Sequence, residues 1–253
     1  AYGGFLRAML DGPSQAVLAP ATAAALRAMA RSDSITIDPH KLGYVPYACG
    51  AFLTPDVQRY AVSAFDAPYL DRPELGEGKW SSTLEGSRSA AGAAATWLTA
   101  ETLGFGADGL GSVMAATLEA RQAFETAVRG AVPEARFLPA DSNIACFSLA
   151  CVGEGLDQSN ARTRRVFDFF QRSPHFAVSK TTLGVDNAAL IADWLGGHDG
   201  YNDRPESDAE MLVIRCVFMN PYWSDPAVRH DLLPRFVEEL RHALAGPPEA
   251  RAA

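Results

Sequence analysis

Hydrophobic positions change their spacing several times along the 253-residue chain, and each change marks an element. Thr22 to Arg31 is rich in alanine with Leu26 and Met29, a helix-forming composition. Ile35 and Ile37 then alternate with small polar neighbours, which predicts a short strand. It stops at Asp38-Pro39, because proline donates no ladder hydrogen bond and fixes its own φ. Cys49-Gly50-Ala51-Phe52-Leu53 predicts a second strand packed beside the first. Asp66 to Ser82, acidic and punctuated by Pro and Gly, predicts a long surface loop. Gly86-Ser87-Arg88-Ser89 opens an Ala-rich helix through about Leu103, whose Ala90, Ala91, Gly92, Ala94 and Ala95 permit close backbone approach to a neighbour. A helix from roughly Leu110 to Val128 aligns Val113, Leu118, Phe124 and Val128 on one stripe, and Pro133 ends it.

A domain boundary is expected here, dividing the chain into 1–131 and 132–253. In the second part Asn143 to Val152, His175 to Leu183 and Met211 to Met219 read as strands. A helix around Asn160 to Gln171 uses Val166, Phe169 and Phe170 as its apolar face. The last helix has Asp225 as N-cap and Pro226 at its first position, with Leu232, Leu233, Phe236, Val237 and Leu240 as its stripe. Strands separated by helices make an α/β or α+β layer.

Composition narrows the function classes. A core of one large or two modest units is within reach of a chain that is 48% hydrophobic. The net charge of −8 argues against a polyanionic partner, so nucleic acid is not expected. The run Arg162, Arg164, Arg165 falls on the helix and reads as a solvated face. Cys49, Cys146, Cys151 and Cys216 form no CxxC pair and read as buried free thiols, in keeping with a reducing cytoplasm. The five histidines show no ligand spacing, so no metal is indicated. No apolar run approaches membrane-spanning length and no signal peptide is recognised, so no membrane partner is expected.

Candidate chemistry concentrates in Ser34-Ile35-Thr36-Ile37-Asp38-Pro39-His40-Lys41-Leu42-Gly43-Tyr44-Val45-Pro46-Tyr47. A lysine on the lip of a sheet, beside a histidine, is placed for Schiff-base chemistry. Taken alone, Lys41 is equally a solvated lysine after a turn. The whole segment resembles the cofactor-lysine segment of the pyridoxal-phosphate-dependent group II amino-acid decarboxylases. The pattern His-Lys-x-Gly-Tyr-x-Pro-Tyr is similar to that of their bacterial tyrosine-decarboxylase-like subgroup, as are Ala67-Pro68-Tyr69-Leu70 and Thr83-Leu84-Glu85-Gly86-Ser87-Arg88.

The resemblance implies an α/β fold of the PLP-dependent transferase type (fold type I). Residues 1–131 would be the C-terminal half of its large PLP-binding domain and 132–253 its small C-terminal domain. It implies pyridoxal 5'-phosphate bound as a Schiff base to Lys41, with His40 at the phosphate and Asp38 and Ala1 among the cofactor-contacting positions. Asp38 has a structural role as its alternative. Tyr47 is implied as the acid that protonates the substrate α-carbon after CO2 leaves; a core aromatic with a locally bonded hydroxyl is the alternative. Tyr44 reads as packing. Arg88 either holds its helix start or reaches phosphate. Arg215, mid-strand between apolar residues, requires a partner: a substrate carboxylate, as the resemblance implies, or an internal ion pair.

The expected reaction is decarboxylation of an L-amino acid, aromatic and tyrosine-like by preference, to the amine and CO2 in a cytoplasmic homodimer. The alternatives are another PLP lyase or an aldehyde synthase on the same scaffold, and a non-catalytic half-protein binding a partner chain. Ala1-Tyr2-Gly3-Gly4-Phe5 resembles the segment that follows the family's ring-nitrogen aspartate. The expected partner is therefore an N-terminal portion of the same enzyme, carrying that aspartate and a ring-stacking histidine.

Overall fold

A computed structural model describes residues 2–56, 89–189, 191 and 210–246. The expected loop from Asp66 to Ser82 and the motifs Ala67–Leu70 and Thr83–Arg88 lie outside them. Contacts divide the chain into two compact units, Ala1–Met114 and Ala115–Ala253.

The first unit opens with two 3-10 segments, Tyr2–Met9 and Pro13–Val17, followed by α1, Pro20–Ala28. Pro20 sits in the first turn of α1, where its missing N–H costs nothing. The Arg7 guanidinium donates to the Leu26 carbonyl at 2.9 Å, and Arg27 pairs with Asp11 at 2.7 Å. Strands β1 (Ile35–Ile37) and β2 (Ala51–Leu53) are antiparallel, with Ile35 opposite Leu53 and Ile37 opposite Ala51. Both are three residues long because Pro39 and Gly50 bound them. Leu6, Met9, Leu26, Leu42 and Val45 are buried, so the lysine-bearing turn is itself anchored by apolar side chains. Helix α2, Ala91–Thr102, follows among the described residues and buries none of its residues.

In the second unit a four-stranded antiparallel sheet has the order β3-β4-β6-β5, with β3 Ala135–Phe137, β4 Ile144–Leu149, β5 Ser179–Leu183 and β6 Met211–Val217. Its long helices among the described residues are α3 (Ser112–Ala131), α4 (Leu156–Phe170) and α5 (Pro226–Ala245). Alternation along the strands sends Ala145, Phe147 and Leu149 of β4, with Ile214 and Cys216 of β6, into one core. Phe124 of α3, Val166 and Phe170 of α4, and Phe236 and Leu240 of α5 close over them. Phe124 lies 5.0 Å from both Phe218 and Phe236, and Phe170 stacks on Phe236 at 5.0 Å. The opposite face carries a smaller cluster of Leu156, Ile191, Met211 and Val213.

Pro133 follows the end of α3, and Leu118, Phe124 and Val128 of that helix are buried in the second unit. The helix expected near Asn160 begins at Leu156, where the Gln158 side chain accepts from the Gly155 N–H at 2.9 Å. Asp225 caps α5 as expected, its carboxylate accepting from the Ala227 N–H at 2.8 Å. The basic run is not simply solvated: Arg162 pairs with Glu154, and Arg165 donates to the Leu244 carbonyl at 3.2 Å. Cys49 and Cys216 are buried free thiols, but Cys146 and Cys151 are only half-buried. Burial pushes the Cys216 thiol up to about 12. Among the described residues no helix is long and apolar enough to cross a membrane, and no cluster of three or more metal-ligating side chains occurs.

Candidate active site

The site is built on the reversal between β1 and β2. After Pro39 the chain folds into a compact turn: the Lys41 N–H donates to the Asp38 carbonyl at 2.9 Å, Tyr44 N–H to Lys41 at 3.1 Å, and Val45 N–H to Pro39 at 3.1 Å. Tyr44 closes it at φ 55, in the left-handed region. Gly43 is required by space: a Cβ there would meet the Pro39 carbonyl oxygen at 2.7 Å and Phe5 Cζ at 2.8 Å. Burial of Leu42 and Val45 pins this turn from below, which leaves Lys41 on its outer side, about a third exposed.

Lys41 Nζ donates to Asp38 Oδ2 at 2.7 Å across one turn. That hydrogen bond, helped by the charges of Lys41 and His40 and opposed by desolvation, holds the Asp38 carboxyl below its ordinary range. Asp38 thus orients the lysine directly.

His40 faces the incoming β2. Its backbone N–H donates to the Cys49 carbonyl at 3.3 Å, and its Nδ1 makes a short contact with that same oxygen. The Cys49 N–H lies 3.3 Å from Nδ1. Both backbone groups of Cys49 therefore meet the same ring nitrogen. No described residue bonds Nε2. The Tyr47 ring covers the imidazole at 4.2 Å between centroids, tilted by 35°. Tyr47 is 77% exposed in this chain.

Asp38, His40, Lys41 and Tyr47 are therefore brought together on one turn of the first unit. Ala1 and Arg88 lie outside the described residues. Arg215 belongs to the second unit, in β6 opposite Cys146 of β4 and Ser179 of β5. Its guanidinium is half-exposed and reaches Ser179 Oγ at 3.5 Å. None of the ion pairs among the described residues involves it.

Cys49 was not legible as a site residue, because what it offers His40 is backbone. The only sequence signal was the run of small residues in α2, which Gly92 uses to approach Cys49.

Residues 12–150 match the model of the pyridoxal-dependent decarboxylase conserved domain, with the lysine turn inside the match. The chain belongs to the pyridoxal-dependent decarboxylase family. It is 37% identical over 100 residues to an L-tyrosine decarboxylase of Enterococcus faecium, covering 39% of this chain and 16% of that protein. Identity to an L-tyrosine decarboxylase of Levilactobacillus brevis is 32% over 146 residues, 47% of this chain and 23% of that one. An L-aspartate decarboxylase of Thermococcus kodakarensis is 34% identical over 96 residues, 38% of this chain and 23% of that protein. The matches thus span between 16% and 23% of these curated relatives. In fold, the chain superposes on the Oryza sativa TDC solved with PLP and tryptamine with a TM-score of 0.62 at 16% identity, over 87% of this chain and 42% of that one. The expected fold-type-I α/β architecture is the one observed.

Proposed function

We propose that this chain supplies the cofactor-lysine turn and the antiparallel C-terminal unit of a PLP-dependent amino-acid decarboxylase, acting on an aromatic L-amino acid. The observation that carries the reading is the Lys41 amine, held 2.7 Å from Asp38 on a turn that also displays His40 and Tyr47. The donor set fits the cofactor: a partly exposed primary amine for an aldehyde, an imidazole Nε2 free to meet a phosphate, and an adjacent phenol.

When bound, pyridoxal phosphate supplies the electron sink that makes loss of CO2 from the α-carbon feasible. Lys41 would hold the cofactor through its amine, and Asp38 orients that amine. His40 would meet the phosphate through Nε2. Tyr47, exposed and tilted over His40, would supply the proton to the substrate α-carbon. Arg215 grips a substrate carboxylate. In this reading residues 1–131 correspond to the second half of the large domain and 132–253 to the small domain. The whole enzyme is a cytoplasmic homodimer, completed by an N-terminal portion with the ring-nitrogen carboxylate.

The aromatic preference is supported by the L-tyrosine decarboxylases among the relatives. An acidic substrate is the second reading, favoured by the L-aspartate decarboxylase at 34% identity.

Borohydride reduction of the assembled holoenzyme followed by peptide mapping tests the reading, with label expected on Lys41; label on another lysine overturns it. Tyr47→Phe is expected to slow amine formation far more than it weakens substrate binding. Equal losses in both would assign Tyr47 to packing. Amine yields from tyrosine and aspartate, compared side by side, decide the substrate class.

A further inference from the structure

We propose that Gly92 and Thr96 of α2, acting through Cys49, are positioning residues for the His40 imidazole. The connection is continuous and lies within the first unit. Cys49 Sγ donates to the Gly92 carbonyl at 3.3 Å and lies 3.3 Å from Thr96 Oγ1. The Thr96 hydroxyl donates to that same Gly92 carbonyl at 2.8 Å. One residue therefore has its side chain fastened to α2 and its backbone fastened to His40, whose Nδ1 meets the Cys49 carbonyl. The thiol is buried, so water does not compete for these contacts.

Space makes the coupling tight. A Cβ on Gly92 would lie 3.0 Å from Cys49 Sγ, 3.1 Å from the Ala48 oxygen and 3.1 Å from Cys49 Cβ. Any larger residue at 92 must push the Ala48–Cys49 backbone, and with it the carbonyl that fixes His40. Tyr47 rests on the same ring at 4.2 Å, so a displaced imidazole carries the phenol with it. Helix α2 makes no contribution to the buried core, yet it sets where Nε2 points.

The consequence for cofactor binding rests on the function proposed above, but the geometry does not. The test is therefore made in two arms on the full chain. In the first, without cofactor, the ring nitrogen resonances of His40 and the ring-proton shifts of Tyr47 are recorded for wild type, Gly92→Ala, Cys49→Ala and Thr96→Val. In a helix alanine is the better residue than glycine, so Gly92→Ala is not expected to weaken α2 itself. Displaced His40 and Tyr47 signals, with the aromatic core of the second unit unchanged, are the expected result. Cys49→Ser, which keeps a donor at this position, restores much of the wild-type pattern. Unmoved His40 signals in both Gly92→Ala and Cys49→Ala overturn the proposal. If Gly92→Ala loses the fold, the near-isosteric Thr96→Val decides in its place.

The second arm titrates pyridoxal phosphate by absorbance in the assembled enzyme. Affinity is expected to fall about tenfold in Gly92→Ala, the scale on which orienting partners act. Displaced His40 signals without any change in affinity would overturn the role of His40 at the phosphate and leave the positioning intact.

Discussion

In the second unit Phe124, Phe137, Phe147, Phe170, Phe218 and Phe236 meet between a four-stranded sheet and three helices. In the first, Phe52 and Leu53 of β2 are 51% and 52% exposed, and Trp97 of α2 is 64% exposed. One unit holds its shape by filling volume. The other, over an apolar footing of Leu42 and Val45, holds the lysine turn by directed contacts that among the described residues include backbone hydrogen bonds, the Lys41–Asp38 pair, and a cysteine joined to a histidine. The difference matters because the two kinds of support fail differently. A core of interlocking aromatics loses free energy in proportion to what is removed. A turn is disturbed by an added atom, and the loss appears as misdirected chemistry before it appears as unfolding.

That contrast is broken most sharply at Lys41. Lys41→Ala should abolish borohydride-fixed cofactor and amine formation in the assembled enzyme. Its effect on unfolding should be within about 0.5 kcal/mol, as for other surface positions. A large loss of stability would mean that the turn is part of the core after all. Phe124→Ala reverses the pattern: denaturant unfolding should show a loss of about 3–5 kcal/mol from the second unit, since Phe124 touches four other aromatic rings. Asp225→Ala is smaller, about 1 kcal/mol by the same measurement, because it removes one acceptor from the start of α5 and no packing.

The same contrast explains what could be read from the chain. Elements with a long period or a clear stop were legible: α3 by its stripe, β1 by Asp38-Pro39, and α5 by Asp225-Pro226. Strand β3 was not, because Ala135-Arg136-Phe137 is too short to show alternation and exists through pairing with Leu149, Ser148 and Phe147. Pro133 marks where α3 stops, while the contacts that place its Leu118, Phe124 and Val128 in the second unit depend on packing. At the site, side-chain chemistry was visible at Asp38, His40 and Lys41. The hold on His40 was not, since a carbonyl oxygen is the same in every residue and its position depends on Gly92, more than forty residues away in sequence. Arg215 was legible as an exception in an apolar strand, while its half-exposed setting beside Ser179 depended on sheet register.

The finest distinction between the two kinds of support lies in the titration of Asp38. Its carboxyl is held below the ordinary aspartate range chiefly by the hydrogen bond from Lys41. A group whose folded pKa is depressed stabilises the fold above its unfolded pKa, and that contribution is lost as pH falls through the folded value. The Lys41–Asp38 pair should therefore persist through mildly acidic solution and open only below the usual carboxylate range. Because Lys41 is about a third exposed and solvent screens the pair, the stability at stake is small, and the informative readout is the carboxyl carbon resonance of Asp38 against pH. Its midpoint should lie below that of an ordinary aspartate and rise towards it in Lys41→Ala. An unmoved midpoint in that variant would show that the turn's backbone, and not the lysine, sets the charge on Asp38. The first unit would then hold its lysine by shape alone, as the second holds its phenylalanines.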